Sequence, residues 1–263
     1  MDDFVTELRT TIGKHIWPVR INKLLFLWRR AGHRWKRIHL AHSAISGPIS
    51  VWDLGRERRL VFAEWLDMVT QSVIFTRGSW AELRREFWGQ ALQPPFALPA
   101  RPRVLILGLG GGTMAHLAHQ MLRPRNITAV ERDPVVVEIA RTYMGVDSIP
   151  DLDIRVADVH HALAELRTGE KFDLVVEDVF YLGFPTRADD FVRAYIASLA
   201  DVVSATGTVA FNRWFRRWSG EKIDTGQALL ARLLSERFEG VANRKVIQRW
   251  QNELIFASGL KGC

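Results

Sequence analysis

The chain is poor in the residues that support several common chemistries. Cys263 is the sole cysteine among 263 residues and occupies the last position. Disulfides, cysteine-based zinc sites and a cysteine nucleophile are therefore not expected. No apolar run approaches the roughly 20 residues that cross a bilayer, and no secretory pattern opens the chain, so a cytoplasmic protein is expected. Neither a G-x-S-x-G elbow nor a P-loop occurs. His116 and His119 share a helix face, and His160 adjoins His161. No acid–histidine spacing of a metal motif surrounds either pair, so no metal site is expected. Internal repeats and low-complexity segments do not occur. What remains is an ordinary globular composition, 48% apolar and 25% charged, of a length suited to one large domain or a domain with an appendage.

Positive charge is concentrated at one end. The net charge is +7, and residues 1–45 hold nine Lys or Arg against Asp2, Asp3 and Glu7. Within that segment, residues 20–37 read as a basic amphipathic helix, with Ile21, Leu24, Leu25 and Trp28 at i, i+3, i+4 and i+7. Such a helix suits an anionic surface, RNA or membrane lipid, or packs on its own body or a twin subunit. Residues 1–45 are read as a basic helical extension.

From Pro48 the apolar period becomes two. "ISVWDLG", "RRLVFAEW" and "TQSVIFT" predict three short antiparallel strands, followed by a helix over 80–92. Residues 46–98 thus form a small β unit plus helix, and the proline-rich "QPPFALPARP" (Gln93 to Pro102) marks the boundary to a body at 99–263. Beyond it strands and helices alternate. Strands are expected at Val104–Leu107, Ile127–Glu131, Ile154–Ala157, Leu174–Val176 and Thr208–Phe211. Helices are expected at Thr113–Leu122, Val135–Met144, 160–167, 188–202 and 222–236. The alternation implies an α/β fold with a doubly wound, Rossmann-like parallel sheet covered on both faces. "VANRKVIQRWQNELIFASG" instead reads as an antiparallel hairpin, and a nucleotide-binding sheet finished this way resembles the class I methyltransferase fold.

Ligands of such sheets bind at the carboxyl ends of the strands. "VLILGLGGGTM" runs an apolar strand into Gly108, Gly110, Gly111 and Gly112, where missing side chains let backbone approach a ligand. Glu131 ends the second strand roughly 20 residues on, placed for a ribose diol. Asp133-Pro134 caps and starts the next helix, Asp158 follows the third strand and Asp178 the fourth. Thr113 stands where a dinucleotide fingerprint wants glycine, and Asp158 and Asp178 close on one rim. Both points favour S-adenosylmethionine (SAM) over NAD. The plainer alternative is that these acids cap helices, as Asp158 before "HHALAEL" is placed to do. Asn212 leads into "NRWFRRW", where arginines alternate with aromatics. That pattern suits nucleic acid or a planar anion, or a rim loop with its tryptophans packed and its arginines in water.

"VLILGLGGGTM", "AVERDPVVVEIAR", "ADVHHAL", "FDLVVEDVF", "DDFVRAYIASLADVVSATGTVAFN" and, upstream, "LDMVTQS" together resemble the spermidine synthase-like aminopropyltransferases. The resemblance runs from about Ile49 to Asn212. It implies a small N-terminal β unit before a SAM-type sheet, a homodimer, and aminopropyl transfer from decarboxylated SAM to a small-molecule amine. It also implies roles: Gln71 touching the donor, Glu131 holding the ribose, Asp158 the adenine amine, and Asp178 catalytic. Tyr181, Trp88, Gln90 and Asn212 are the candidates facing the acceptor. The chain departs from the family pattern where acids are usual, with Gly111 inside the loop, Tyr181 three residues after Asp178, and Trp88 and Gln90 on the helix after the β unit. A polyamine is a chain of cations whose pocket needs acidic partners. A methyltransferase acting on a small molecule or RNA with ordinary SAM, and a non-catalytic binding protein of this fold, therefore stay open beside aminopropyl transfer.

Overall fold

The computed structural model of the protein describes residues 35–64, 67–179, 189–214, 226–248 and 251–262. The basic segment up to His33 and Arg34, Tyr181, and Phe215 to Trp218 of the aromatic–arginine run lie outside the described residues.

Four strands, β1 (Lys36–Ser43), β2 (Gly47–Asp53), β3 (Glu57–Glu64) and β4 (Asp67–Phe75), form an antiparallel meander in sequential order. The first begins inside the segment read above as a helical extension, which corrects that boundary. Ile38 is packed against the core beneath this small sheet, and burial through cross-strand pairing decides the conformation where local period leaves it ambiguous. The helix read over 80–92 is two short ones, α1 (Ala81–Arg85) and α2 (Phe87–Ala91), because Glu86 between them is extended at φ −75°, ψ 169°.

The second sheet has seven strands: β5 (Arg103–Leu107), β6 (Asn126–Glu131), β7 (Leu152–Val156), β8 (Phe172–Glu177), β9 (Val203–Trp214), β10 (Phe238–Ile247) and β11 (Gln251–Leu260). Their spatial order is β10-β11-β9-β8-β5-β6-β7. The five from β9 to β7 are mutually parallel, while β11 pairs antiparallel with both β9 and β10. Helices α3 (Thr113–Leu122), α4 (Pro134–Met144), α5 (Val159–Leu166), α6 (Asp189–Ala200) and α7 (Gln227–Arg237) connect and cover it. Local chemistry sets their ends: Asp133 accepts the Val135 N–H at 3.0 Å, Pro134 takes the first helical position, and Gly145 closes α4 in the left-handed region at φ 70°.

Alternation along the strands sorts the core into two layers. One face of the sheet presents Ile106, Val176 and Phe256 to α2, to α3 and to Val73 and Phe75 of β4. The other presents Leu107, Phe211 and Ile255 to Leu163, Leu199 and Leu233 of α5 to α7. The small sheet lays Ile49, Val51 and Leu60 on Val136, Ile139 and Met144 of α4. No helix among the described residues is long and apolar enough to cross a membrane.

Candidate functional site

The strand order reverses at β5, which has β6 on one side and β8 on the other. Connections leaving the two sides diverge and open a crevice at the carboxyl ends. Two hydrogen bonds hold its floor: the Gly108 N–H donates to the Val130 carbonyl at 2.9 Å, and the Asp178 N–H donates to the Leu107 carbonyl at 2.9 Å. Gly108 has φ 95°, and a Cβ there would stand 2.5 Å from the Asp178 carbonyl oxygen. Both conformation and contact therefore demand glycine.

The other glycines divide their work. Gly108 and Gly110 line the cleft, whereas Gly111 and Gly112 are not among its lining residues. A Cβ on Gly111 would meet the Ser72 Cβ at 2.8 Å and the Met144 Cε at 2.9 Å, and one on Gly112 would meet the Val146 Cγ1 at 2.3 Å. These two glycines thus pack closely against β4 and the turn after α4. The Gly111 N–H donates to the Ser72 Oγ at 2.7 Å. Thr113 completes the joint, since its hydroxyl accepts the Val73 N–H at 2.9 Å and donates to the Val73 carbonyl at 2.8 Å. A threonine in place of a fingerprint glycine therefore has a structural cause: it staples the small sheet to the loop.

Glu131 and Asp158 both line the cleft, and both also hold backbone. The Glu131 carboxylate accepts the Gly110 N–H and the Asp133 N–H, each at 3.1 Å. Burial pushes its pKa above the ordinary range, against the pull of those two donors. Asp158 is exposed and accepts the His160 N–H at 2.9 Å, capping α5. The helix-cap alternative and the cleft-lining position thus coexist in one side chain.

Gln71 reaches the cleft through an irregularity that its sequence neighbourhood does not announce. Leu60 of β3 faces Ser72, but Val61 faces Thr70, so Gln71 is the extra residue of a β-bulge. Bulges re-aim side chains and recur beside active sites. Trp88, buried and ring-packed on Phe87 at 4.5 Å between centroids, also lines the cleft, as do Phe62 and Trp214.

Asp178 keeps only partial access to the cleft. Its Oδ1 accepts a hydrogen bond from the Asn212 amide at 2.7 Å, and the Asn212 Oδ1 accepts one from the Asn252 amide at 2.8 Å. Burial pushes the Asp178 pKa up to about 7, helped by the charge of Glu177 and opposed by the Asn212 donor and the Arg213 charge. On the other face of the sheet Arg213 donates to the Glu177 carboxylate and to the Asn212 carbonyl, and Tyr195 approaches the same carboxylate. Arg213 is thus committed to a buried ion pair and is not presented to a nucleic acid.

Two candidates for facing the acceptor lie outside the cleft lining. Gln90 does not line the cleft; its amide donates to the Arg84 carbonyl and its oxygen accepts from Arg244 of β10, tying α2 to the C-terminal hairpin. Asn212 is 1% exposed and absent from the lining, because its amide is spent on Asp178 and Asn252. Sequence reasoning missed Glu177 and Asn252 altogether. Glu177 precedes Asp178 and carried a signal, a second acid ending a buried strand. Asn252 carried none beyond being polar in an apolar hairpin.

No family model matches the chain. A polyamine aminopropyltransferase from Vibrio vulnificus is 28% identical over 116 residues, 43% of this chain and 38% of the relative. An eEF1A lysine and N-terminal methyltransferase homolog from Drosophila melanogaster is 34% identical over 77 residues, 29% of this chain and 11% of the relative. The chain therefore spans well under half the length of these curated relatives. Among solved structures, a probable spermidine synthase from Corynebacterium glutamicum superposes with a TM-score of 0.61 at 18% identity, over 84% of this chain and 79% of that one. Human methyltransferase-like protein 13 in complex with SAH superposes at 0.52 with 22% identity, over 68% and 82%. The chain has the spermidine synthase-like, SAM-dependent methyltransferase fold.

Proposed function

We propose that this chain is a SAM-dependent group transferase that moves a methyl group to an amine acceptor in the cleft between the glycine loop and Asp178. One observation carries the choice of group. The acids among the described residues lining the cleft are Glu131, Asp158 and Asp178. Glu131 is placed for the ribose diol and Asp158 for the adenine amine, which leaves Asp178 for the acceptor. The ammonium of an aminopropyl group would need a further carboxylate. The loop position where the resembling family carries one is Gly111, and Ser72 and Met144 fill the space beside it. A methyl group carries no charge of its own and asks for no such partner.

The residues present fit the donor. Gly108 and Gly110 offer a backbone cradle that a Cβ would disturb, with Glu131 on its rim. When bound, SAM supplies a sulfonium whose departure as a neutral thioether drives displacement. The chain supplies alignment and a base. An alkylamine with pKa near 10 is about one part in a thousand neutral at pH 7, which costs roughly 4 kcal/mol. Asp178, held near 7, is a stronger base than an ordinary carboxylate and is ionised in part at neutral pH. It orients the amine, takes its proton, and leaves the nitrogen lone pair directed across the cleft. Phe62, Phe87, Trp88 and Trp214 make the remaining wall aromatic, which suits an amine carried on an apolar or planar body.

Aminopropyl transfer is the second reading, favoured by the superposition on a probable spermidine synthase and by the bulge that brings Gln71 to the cleft. The test is a donor comparison by calorimetry, with mass spectrometry of the nucleoside released in the presence of a panel of amines. Tight binding of SAM and release of S-adenosylhomocysteine are expected. A clear preference for decarboxylated SAM with release of methylthioadenosine would replace methyl by aminopropyl transfer, and no binding of either donor would remove both.

A further inference from the structure

A row of three side chains crosses the sheet beneath the reacting end of the cleft. Asp178 follows β8, Asn212 lies on β9 and Asn252 on β11, adjacent strands in that order. Glu177 pairs with Phe211, so Asp178 comes level with Asn212. Leu254 pairs with Asn212, so Asn252 sits on its diagonal, on the same face. That face is the one filled by Val176, Ala210 and Leu254. Two amides in such surroundings, 1% and 0% exposed, are costly unless their hydrogen bonds are made. The Asn212 amide is bonded at both ends, and the bonds run in one direction: Asn252 Nδ2 to Asn212 Oδ1 at 2.8 Å, then Asn212 Nδ2 to Asp178 Oδ1 at 2.7 Å, with the Asn252 Oδ1 at the head of the row buried without a partner.

The direction has a chemical meaning. An amide has a donor end and an acceptor end, and a buried one takes the orientation its partners dictate. A donor on the far side of Asn212 holds its oxygen away from Asp178 and leaves only its N–H₂ to face the carboxylate. If the amide turned over, an oxygen would oppose the carboxylate and disfavour its charged form. Asn252 touches neither the cleft nor Asp178, so any influence it has on the reaction passes through Asn212.

We propose that Asn252 is a positioning residue, which through Asn212 fixes the orientation and keeps the charged, proton-accepting form of Asp178 accessible. The inference rests on the reading of Asp178 as the base. The charged groups acting on Asp178 are Glu177, its neighbour in sequence, and Arg213 of β9, both on the other face of the sheet, with Glu131 and Asp158 on the cleft rim. The Asn252 side chain is hydrogen-bonded to Asn212 rather than to any of these groups, so its replacement leaves that charge pattern in place.

The test uses Asn252→Leu, close in size and without a donor, and Asn252→Ser, a second variant in case the first does not fold. The Asp178 carboxyl is titrated by carbon NMR in the protein alone, its signal assigned by its loss in Asp178→Asn. The pH profile of kcat/KM is then recorded with SAM and a responsive amine. In the Asn252 variants the Asp178 midpoint is expected to rise by about one pH unit. The acidic limb of the profile moves with it, kcat falls about fivefold at pH 7 as the ionised fraction of Asp178 drops, and the KM for SAM is unchanged. An unmoved Asp178 midpoint in a folded Asn252 variant overturns the proposal, as does a uniform loss of activity without movement of the limb. Full activity in Asp178→Asn would instead overturn the assignment of the base. The NMR titration separates the two failures, because it reads the coupling without turnover.

Discussion

The two rims of the cleft are built on opposite plans. On the β6–β7 side, Glu131 and Asp158 are anchored to backbone N–H groups within their own turns or the neighbouring glycine loop. On the β8–β9 side, Asp178 is anchored by side chains that arrive from distant parts of the chain. A backbone donor is present whatever the surrounding side chains are, so the first rim is robust and its acids are free to serve as ligand holders. A side-chain donor can be tuned or lost by one substitution, and it is there that the pKa is raised to about 7. On the proposed function, binding would fall to the rim anchored on backbone and chemistry to the rim anchored on side chains.

The same substitution made on each rim tests this contrast most directly, and the larger response is expected at Asp178. Asp178→Asn is expected to lower kcat by about 10²–10⁴-fold, the range of a lost general base, with donor affinity little changed by calorimetry. A second large effect is expected on stability at the floor that joins the rims. Gly108→Ala places a Cβ against the Asp178 carbonyl at a left-handed φ, and a loss of about 3 kcal/mol is expected in urea unfolding. Thr113→Val removes two hydrogen bonds to Val73 and leaves a buried N–H without its acceptor, for an expected loss of about 2 kcal/mol. The smallest response is expected from Asp158→Asn. Asparagine caps a helix as well as aspartate, so the melting temperature holds, while the KM for SAM rises about fivefold through one weakened hydrogen bond and kcat stays constant. A fall in kcat at Asp158 comparable to that at Asp178 would break the division of labour.

The same contrast explains what was legible in the sequence. The glycine loop, Glu131 and Asp158 are local features: a strand, a turn and a cap written in consecutive residues. Strands β5, β6 and β8 and helices α3 and α4 were legible for the same reason, through apolar period and capping residues. The bulge at Gln71, the Gln90–Arg244 link and the Asn212–Asn252 pair depend on which strands become neighbours, and no local period carries that. Asn212 accordingly read as a rim residue, since its place at a strand end was visible and its neighbour on β11 was not. The early start of the small sheet was missed because Lys36 and Arg37 continue a run of basic residues, and because a register shift puts Leu40 in solvent while Ile38 packs on the core.

The staple between Thr113 and Val73 bears on how this architecture can be divided. The proline-rich stretch before β5 reads as a natural place to cut, yet the small sheet contributes Val73 and Phe75 to the interior of the large one. It also supplies hydrogen-bond partners to Gly111 and Thr113. Transplanting the glycine-loop sheet into another scaffold without β4 would strip the loop of its backing and expose one side of its first helix. A unit moved intact would run across the apparent boundary and carry the whole small sheet, because β4 backs the loop while β2 and β3 cover α4.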